Sequence, residues 1–240
     1  MDRDAIQIAL AHAHPMLALI SEAATPIVEG ILQIRRDSIC LESFLVRVEF
    51  AQLATELPRA FEIGGRIPRK SDFHVNPDGS LCLGVPEQLW IEIGGTVEVV
   101  PFIDGPVSTF LLGASHKLRV GTWPHGERSH GSAGICEFYS DYVGTKKPSN
   151  VLALLRALQQ GNDDRRATCV CGSGKLLRHC HSDRIQSLRS RNIPTAMLRR
   201  SIAAIERQLG LDGAEGIDAM RDRLIQQAVR RTLYRDNRGG

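Results

Sequence analysis

The sequence predicts an α+β protein. Three observations carry this: an apolar stretch at helical spacing from Asp4 to Glu22, three β-branched runs directly after it, and two helical stretches further on, Val107 to Ser115 and Asn150 to Gln160. At 240 residues and 42% hydrophobic, the chain can bury one sizeable core and a smaller satellite, so one or two domains are expected.

Taken in order, Asp4 is a plausible cap for the first helix, and Pro15 kinks or breaks it. His12 and His14 lie two apart and point to different helix faces, which argues against a metal site there. Val28 to Arg35, Ile39 to Phe50 and Ala60 to Ile67 alternate as strands, punctuated by Asp37-Ser38 and Pro58. Gly64-Gly65-Arg66 with Arg69 and Lys70 is read as a turn rather than a phosphate cradle, because no helix start follows it. Those three cations can steer an acidic partner surface.

The next stretch, Asp72 to Trp90, holds the candidate chemistry. His74, Asn76, a Pro77-Asp78-Gly79 turn and Cys82 fall within one short loop. Proline presets its own φ, aspartate bonds its local backbone and glycine accepts positive φ, so Cys82 is expected just past a tight turn. A thiol there is reachable by a large partner, and a nearby amide can donate to an oxyanion when the sulfur carries an acyl group. The competing reading is a buried, inert thiol. His74 is expected to hold the loop, or alternatively to move a proton; Asn76 is expected to cap the turn or to serve the oxyanion.

Beyond it, Trp123 to Tyr139 is dense in glycine and polar groups. His125 and His130 read as structural, with His130 an alternative assisting base, and Cys136 reads as core. Asn150 to Gln160 reads as a capped amphipathic helix, and 161–166 as a linker. Then Cys169, Cys171, Cys180 and His181 supply three thiolates and an imidazole, a set suited to tetrahedral zinc, with Gly172-Ser173-Gly174 turning the backbone tightly between the pairs. His179 is a substitute ligand. Two amphipathic helices, Pro194 to Leu209 and Gly216 to Tyr234, complete the chain; its terminal Gly239-Gly240 follows nothing resembling β-grasp strands.

Charge and apolar content exclude some classes. No apolar run approaches the ~20 residues that span a bilayer, so a soluble, cytoplasmic protein without a membrane partner is expected. Six cysteines, three of them crowded between Cys169 and Cys180, suit metal and catalysis better than a secreted disulfide framework. The net charge of +3 hides an asymmetry: sixteen Lys/Arg against seven Asp/Glu from Arg165 onward, leaving fourteen against twenty before it. The two ends therefore face each other, through self-association, or different partners, the basic end meeting an acidic protein surface, the ribosome or nucleic acid; charge alone does not choose among these, and nucleic acid is the partner not favoured.

Two resemblances follow from these motifs. His74-Val75-Asn76, Gly79, Cys82-Leu83 and Trp90 resemble the signature of ubiquitin-conjugating (E2) enzymes, most closely their prokaryotic E2-like branch, with valine for the usual proline and a shorter loop from histidine to cysteine. The resemblance covers roughly the first two thirds of the chain and implies a ubiquitin-conjugating-enzyme-like domain at 1–160. It further implies that Cys82 carries a ubiquitin-like modifier as a thioester and passes it to an acceptor amine. The implied partners are an E1-like activating enzyme, the modifier and a protein target, and the context is bacterial antiviral defence. Cys169 to His181 resembles the SEC-C motif of the SecA C-terminus, which implies a zinc unit at 161–183 that recruits a partner, followed by a basic helical region at 184–240. Two rivals stand beside this reading: an inactive E2-like adaptor using the zinc unit and basic tail, and a cysteine deconjugating peptidase using Cys82 and His130.

Overall fold

The computed structural model describes residues 3–20, 25–50, 55–124, 129, 131–161 and 164–211. The chain forms two compact units, one of Met1–Arg128 with Arg189–Met197, the other of Ser129–Leu188 with the residues from Leu198 on.

The first unit is an α+β assembly. Helix α1 (Arg3–Ala13) buries Ile6 and Leu10, one turn apart on one face. It ends before Pro15, shorter than the Asp4–Glu22 stretch of the sequence pattern, because proline disfavours helical backbone at the residue before it. The chain freed there adds a strand: β1 (Leu17–Leu19) joins β2 (Ile27–Arg36), β3 (Ile39–Glu49) and β4 (Arg59–Glu62) in an antiparallel sheet of order β1-β2-β3-β4. The close approach of β1 needs Gly30, where a Cβ would lie 2.2 Å from the Met16 carbonyl oxygen. At the other edge, β4 stops at Glu62 rather than running to Ile67, because the Glu62 carboxylate accepts the Gly64 and Ile67 amides and folds the chain over.

Alternation puts Val28, Leu32, Phe44, Val46 and Val48 on the inner sheet face, all buried. They pack with Phe102, Ile103, Val107 and Leu111 of a rod built from α3 (Val99–Phe102), a π-helical stretch (Ile103–Val107) and α4 (Ser108–Val120). Pro106 sits inside the π stretch, and the Ser108 hydroxyl donates to the Ile103 carbonyl at 2.8 Å. The expected helix at 107–115 is thus present within a longer one.

The second unit contains α5 (Gly131–Val143) and α6 (Pro148–Gln159), which pack together and bury Tyr139, Leu152, Leu154 and Leu155. Helix α5 begins within the Trp123–Tyr139 segment dense in glycine and polar groups, yet Ile135, Phe138, Tyr139 and Val143 recur at helical spacing and are buried, as is Cys136, which the sequence reads as core. Helix α6 starts at Pro148, the favoured first helical position, so Asn150 lies inside it and is not its cap. Two further helices follow, α7 (Ser182–Arg189) and α8 (Thr195–Leu209). The helix expected at 216–234, and both His125 and His130, lie outside the described residues. Among those residues, no helix is long and apolar enough to cross a membrane.

Candidate active-site loop and metal centre

The loop from Ser71 to Val85 follows β4 and leads into helix α2 (Pro86–Glu92), which buries Trp90. A 3₁₀ turn (Ser71–Phe73) opens it, and His74 then adopts left-handed backbone at φ 53°. Val75 and Leu81 pair as an antiparallel bridge and are both buried, which anchors the loop in the core. Between them the predicted turn forms: the Gly79 amide donates to the Asn76 carbonyl at 2.8 Å, with Gly79 at φ 86°.

Polar side chains brace this turn. The Asp78 carboxylate accepts the Ser80 hydroxyl (2.6 Å) and amide (2.9 Å) and pairs with Arg59 at 2.7 Å. Those Ser80 bonds, then Arg59, hold its carboxyl below the usual range. The Asn76 amide donates to the Ser80 hydroxyl at 3.0 Å, so one of its two N–H groups serves the turn.

Cys82 is partly exposed, and its own amide donates to the His74 carbonyl at 2.7 Å. Burial raises its thiol above the ordinary range, and a bond from the Gly84 amide to the sulfur offsets part of this. The His74 and Trp123 rings form a T-shaped pair, with centroids 4.9 Å apart at 81°. A cavity of about 950 Å³ adjoins the loop, lined by Leu83, Leu89, Phe102, Phe110, His116 and Trp123 among others. The cations proposed to steer a partner, Arg66, Arg69 and Lys70, are all exposed, and Arg66 is bonded to Glu42 at 2.9 Å and lies 4.2 Å from the Phe44 ring centroid.

The four predicted metal ligands come together. Their donor atoms lie within 4.8 Å of one another, and the set can hold a metal ion. Cys169 Sγ and Cys180 Sγ are 3.3 Å and 3.2 Å from His181 Nδ1, and Cys171 Sγ is 3.5 Å from Cys180 Sγ. His179 instead accepts a bond from Arg178 Nε at 3.0 Å, so His181 is the imidazole of the cluster. Burial pushes the Cys169 thiol up to about 11, with the neighbouring thiols adding to it. At Cys171 burial is outweighed by the Ser173 hydroxyl and amide and by Cys169 and Cys180, which bring it down to about 6.

The segment read as a linker contributes to this centre. Its Arg165 carbonyl accepts the Arg178 amide at 3.1 Å, and the next turn is closed by Leu177 N to Ala167 O at 2.8 Å. Asn150 of α6 donates to the Cys171 carbonyl at 2.8 Å, a support the sequence did not reveal because 21 residues separate the two. The role of Trp123 was likewise missed: it stands 49 residues beyond His74, and no local pattern marks the contact between them. No family model, curated protein or solved structure matches the chain.

Proposed function

We propose that the protein is an E2-like conjugating enzyme that carries a ubiquitin-like modifier on Cys82 and transfers it to an acceptor amine. The single observation that carries this reading is a partly exposed cysteine at the exit of a rigidly braced loop. The order of elements supports it as well: an N-terminal helix, a four-stranded meander, a loop bearing the cysteine and then helices is the order the resemblance implies. In the loading step the Cys82 thiolate attacks the carbonyl carbon of the activating enzyme's thioester, and that enzyme's sulfur leaves. Exchange of one thioester for another is nearly balanced, so a raised thiol pKa slows loading without forbidding it. In transfer, a neutral amine attacks, its ammonium proton passes to solvent, and the tetrahedral intermediate collapses to the amide as Cys82 departs as thiolate. Asn76 would serve the oxyanion through the N–H not committed to Ser80.

The metal is read as zinc. Bond lengths of ~2.3 Å to sulfur and ~2.0 Å to nitrogen in a tetrahedron put sulfurs roughly 3.8 Å apart and sulfur about 3.5 Å from nitrogen. The three close distances, 3.2, 3.3 and 3.5 Å, sit a few tenths inside those edges. With four protein ligands the centre is closed, so it supports structure and recruitment rather than chemistry.

The test is incubation of the full chain with an activating enzyme, its ubiquitin-like modifier and ATP, followed by non-reducing and reducing gels. A reducible adduct absent from Cys82→Ala, and converted to a reductant-resistant one in Cys82→Ser, supports the proposal. No adduct, together with salt-sensitive nucleic-acid binding, would favour the adaptor reading; modifier release without transfer would favour the peptidase.

A further inference from the structure

We propose that Trp123 is a positioning residue for Cys82, seated on α4 by Gly113 so that it clamps the N-terminal side of the loop. This rests on Cys82 being the reactive group of the loop. The seat comes first. A Cβ on Gly113 would lie 2.9 Å from Trp123 Cζ3 and 3.0 Å from Cε3, so the indole lies against the helix only because position 113 carries no side chain. Phe110, one turn earlier on α4, meets the same ring at 5.6 Å between centroids.

From that seat the indole reaches two points of the loop. Its Nε1 donates to the Asp72 carbonyl at 3.3 Å, and Lys117 Nζ, also on α4, donates to the same oxygen at 2.6 Å. Its ring also meets that of His74 in a T-shaped contact. His74 is the residue whose left-handed backbone turns the chain and whose carbonyl accepts the Cys82 amide. Positive φ is uncommon away from glycine, and here the conformation is held from both sides: by α4 through Trp123, and by the buried Val75–Leu81 bridge. Trp123 therefore acts on the sulfur through His74, by one ring contact and one backbone hydrogen bond. Its effect is to fix where the thiol stands and how much water reaches it.

The experiment is residue-resolved alkylation by iodoacetamide across pH, read by mass spectrometry, in wild type, Trp123→Ala, Trp123→Phe and Gly113→Ala. Exposed Cys40 and buried Cys136 serve as internal references. If the indole holds the loop, Trp123→Ala and Gly113→Ala let water reach the sulfur. The Cys82 rate at neutral pH then rises about fivefold, what one net hydrogen bond amounts to, and its pH profile moves down toward an ordinary thiol. Trp123→Phe keeps the ring contact and restores part of the wild-type profile. Cys40 normalises the reagent, and amide exchange in β2 and β3 distinguishes this from general loosening of the first unit, which would lower their protection together with the rise at Cys82; Cys136 reports on the second unit. An unchanged Cys82 profile in Gly113→Ala and Trp123→Ala overturns the inference, and so does a parallel loss of amide protection in β2 and β3; if Trp123→Ala does not fold, the Gly113→Ala and Trp123→Phe profiles decide it. No modifier is needed, so this outcome is independent of whether an adduct forms on Cys82.

Discussion

At the scale of single residues, the Cys82 sulfur is held between two opposed influences. Burial disfavours the thiolate, and the Gly84 amide favours it, with burial prevailing. Alkylation of Cys82 in the wild type should therefore rise with pH through a midpoint above that of a free thiol in solution; a midpoint at or below it would contradict the effect of burial. Asn76 divides its work differently. Asn76→Ala is expected to slow transfer to an amine by about 10²-fold while thioester still accumulates on Cys82, as removal of one oxyanion donor would. Loss of loading and transfer in equal measure would assign Asn76 to the turn alone, through Ser80.

Glu42 of β3 makes a further pH-dependent contribution. Burial opposes its ionisation, but the Ser115 hydroxyl, Arg66 and Arg119 outweigh it, so its folded pKa lies below the unfolded value. The sign follows: this stability is fully present above the unfolded pKa and is lost as pH falls through the folded one. Glu42→Gln should cost about 1–2 kcal/mol at pH 7 and progressively less in acid, which urea melts at several pH values would show. A penalty that does not shrink in acid would separate the effect from ionisation.

At the scale of elements, β1 and the metal segment each depend on one tight approach. Gly30→Ala combines φ 144° with a Cβ driven into the Met16 carbonyl, so it should release the β1–β2 pairing at a cost of about 2 kcal/mol or more. Hydrogen exchange that leaves the Ile31 amide as protected as in wild type would refute this, since that amide donates to the Met16 carbonyl at 3.0 Å. In the second unit, a short segment with few apolar side chains is tied to α6 by Asn150 and, on the proposed reading, takes the rest of its order from zinc. Metal analysis should return one ion per chain and none in Cys169→Ser or Cys180→Ser. Asn150→Ala should weaken metal retention against a competing chelator by about tenfold, the usual effect of removing an outer partner that orients a ligand.

At the scale of the whole molecule, charge is unevenly distributed along the chain. Ten Lys/Arg against two Asp/Glu fall within residues 165–211, and the remainder to the end is nearly balanced. The basic character thus belongs to the metal segment and to α7 and α8, where Arg165, Arg166, Lys175, Arg178 and Arg184 are exposed. Any polyanion retained by the protein should be released steeply by salt, and replacing Arg165 and Arg166 with glutamate should lower the slope by about one for each phosphate no longer neutralised. A retention that ignores salt would rule out this surface.

The residues alone determined the α+β class, the Pro77-Asp78-Gly79 turn and the four side chains that can hold a metal ion. Each is encoded locally, by period, by turn chemistry or by ligand spacing, and so survives without knowledge of the fold. What only tertiary structure decided is where separate segments meet. That Leu17–Leu19 pairs as an edge strand, that Asn150 supports Cys171 and that Trp123 grips the His74 loop are contacts between residues well separated in the chain. No short window of sequence holds both partners of such a contact, and its geometry exists only once burial of apolar side chains has brought the elements together.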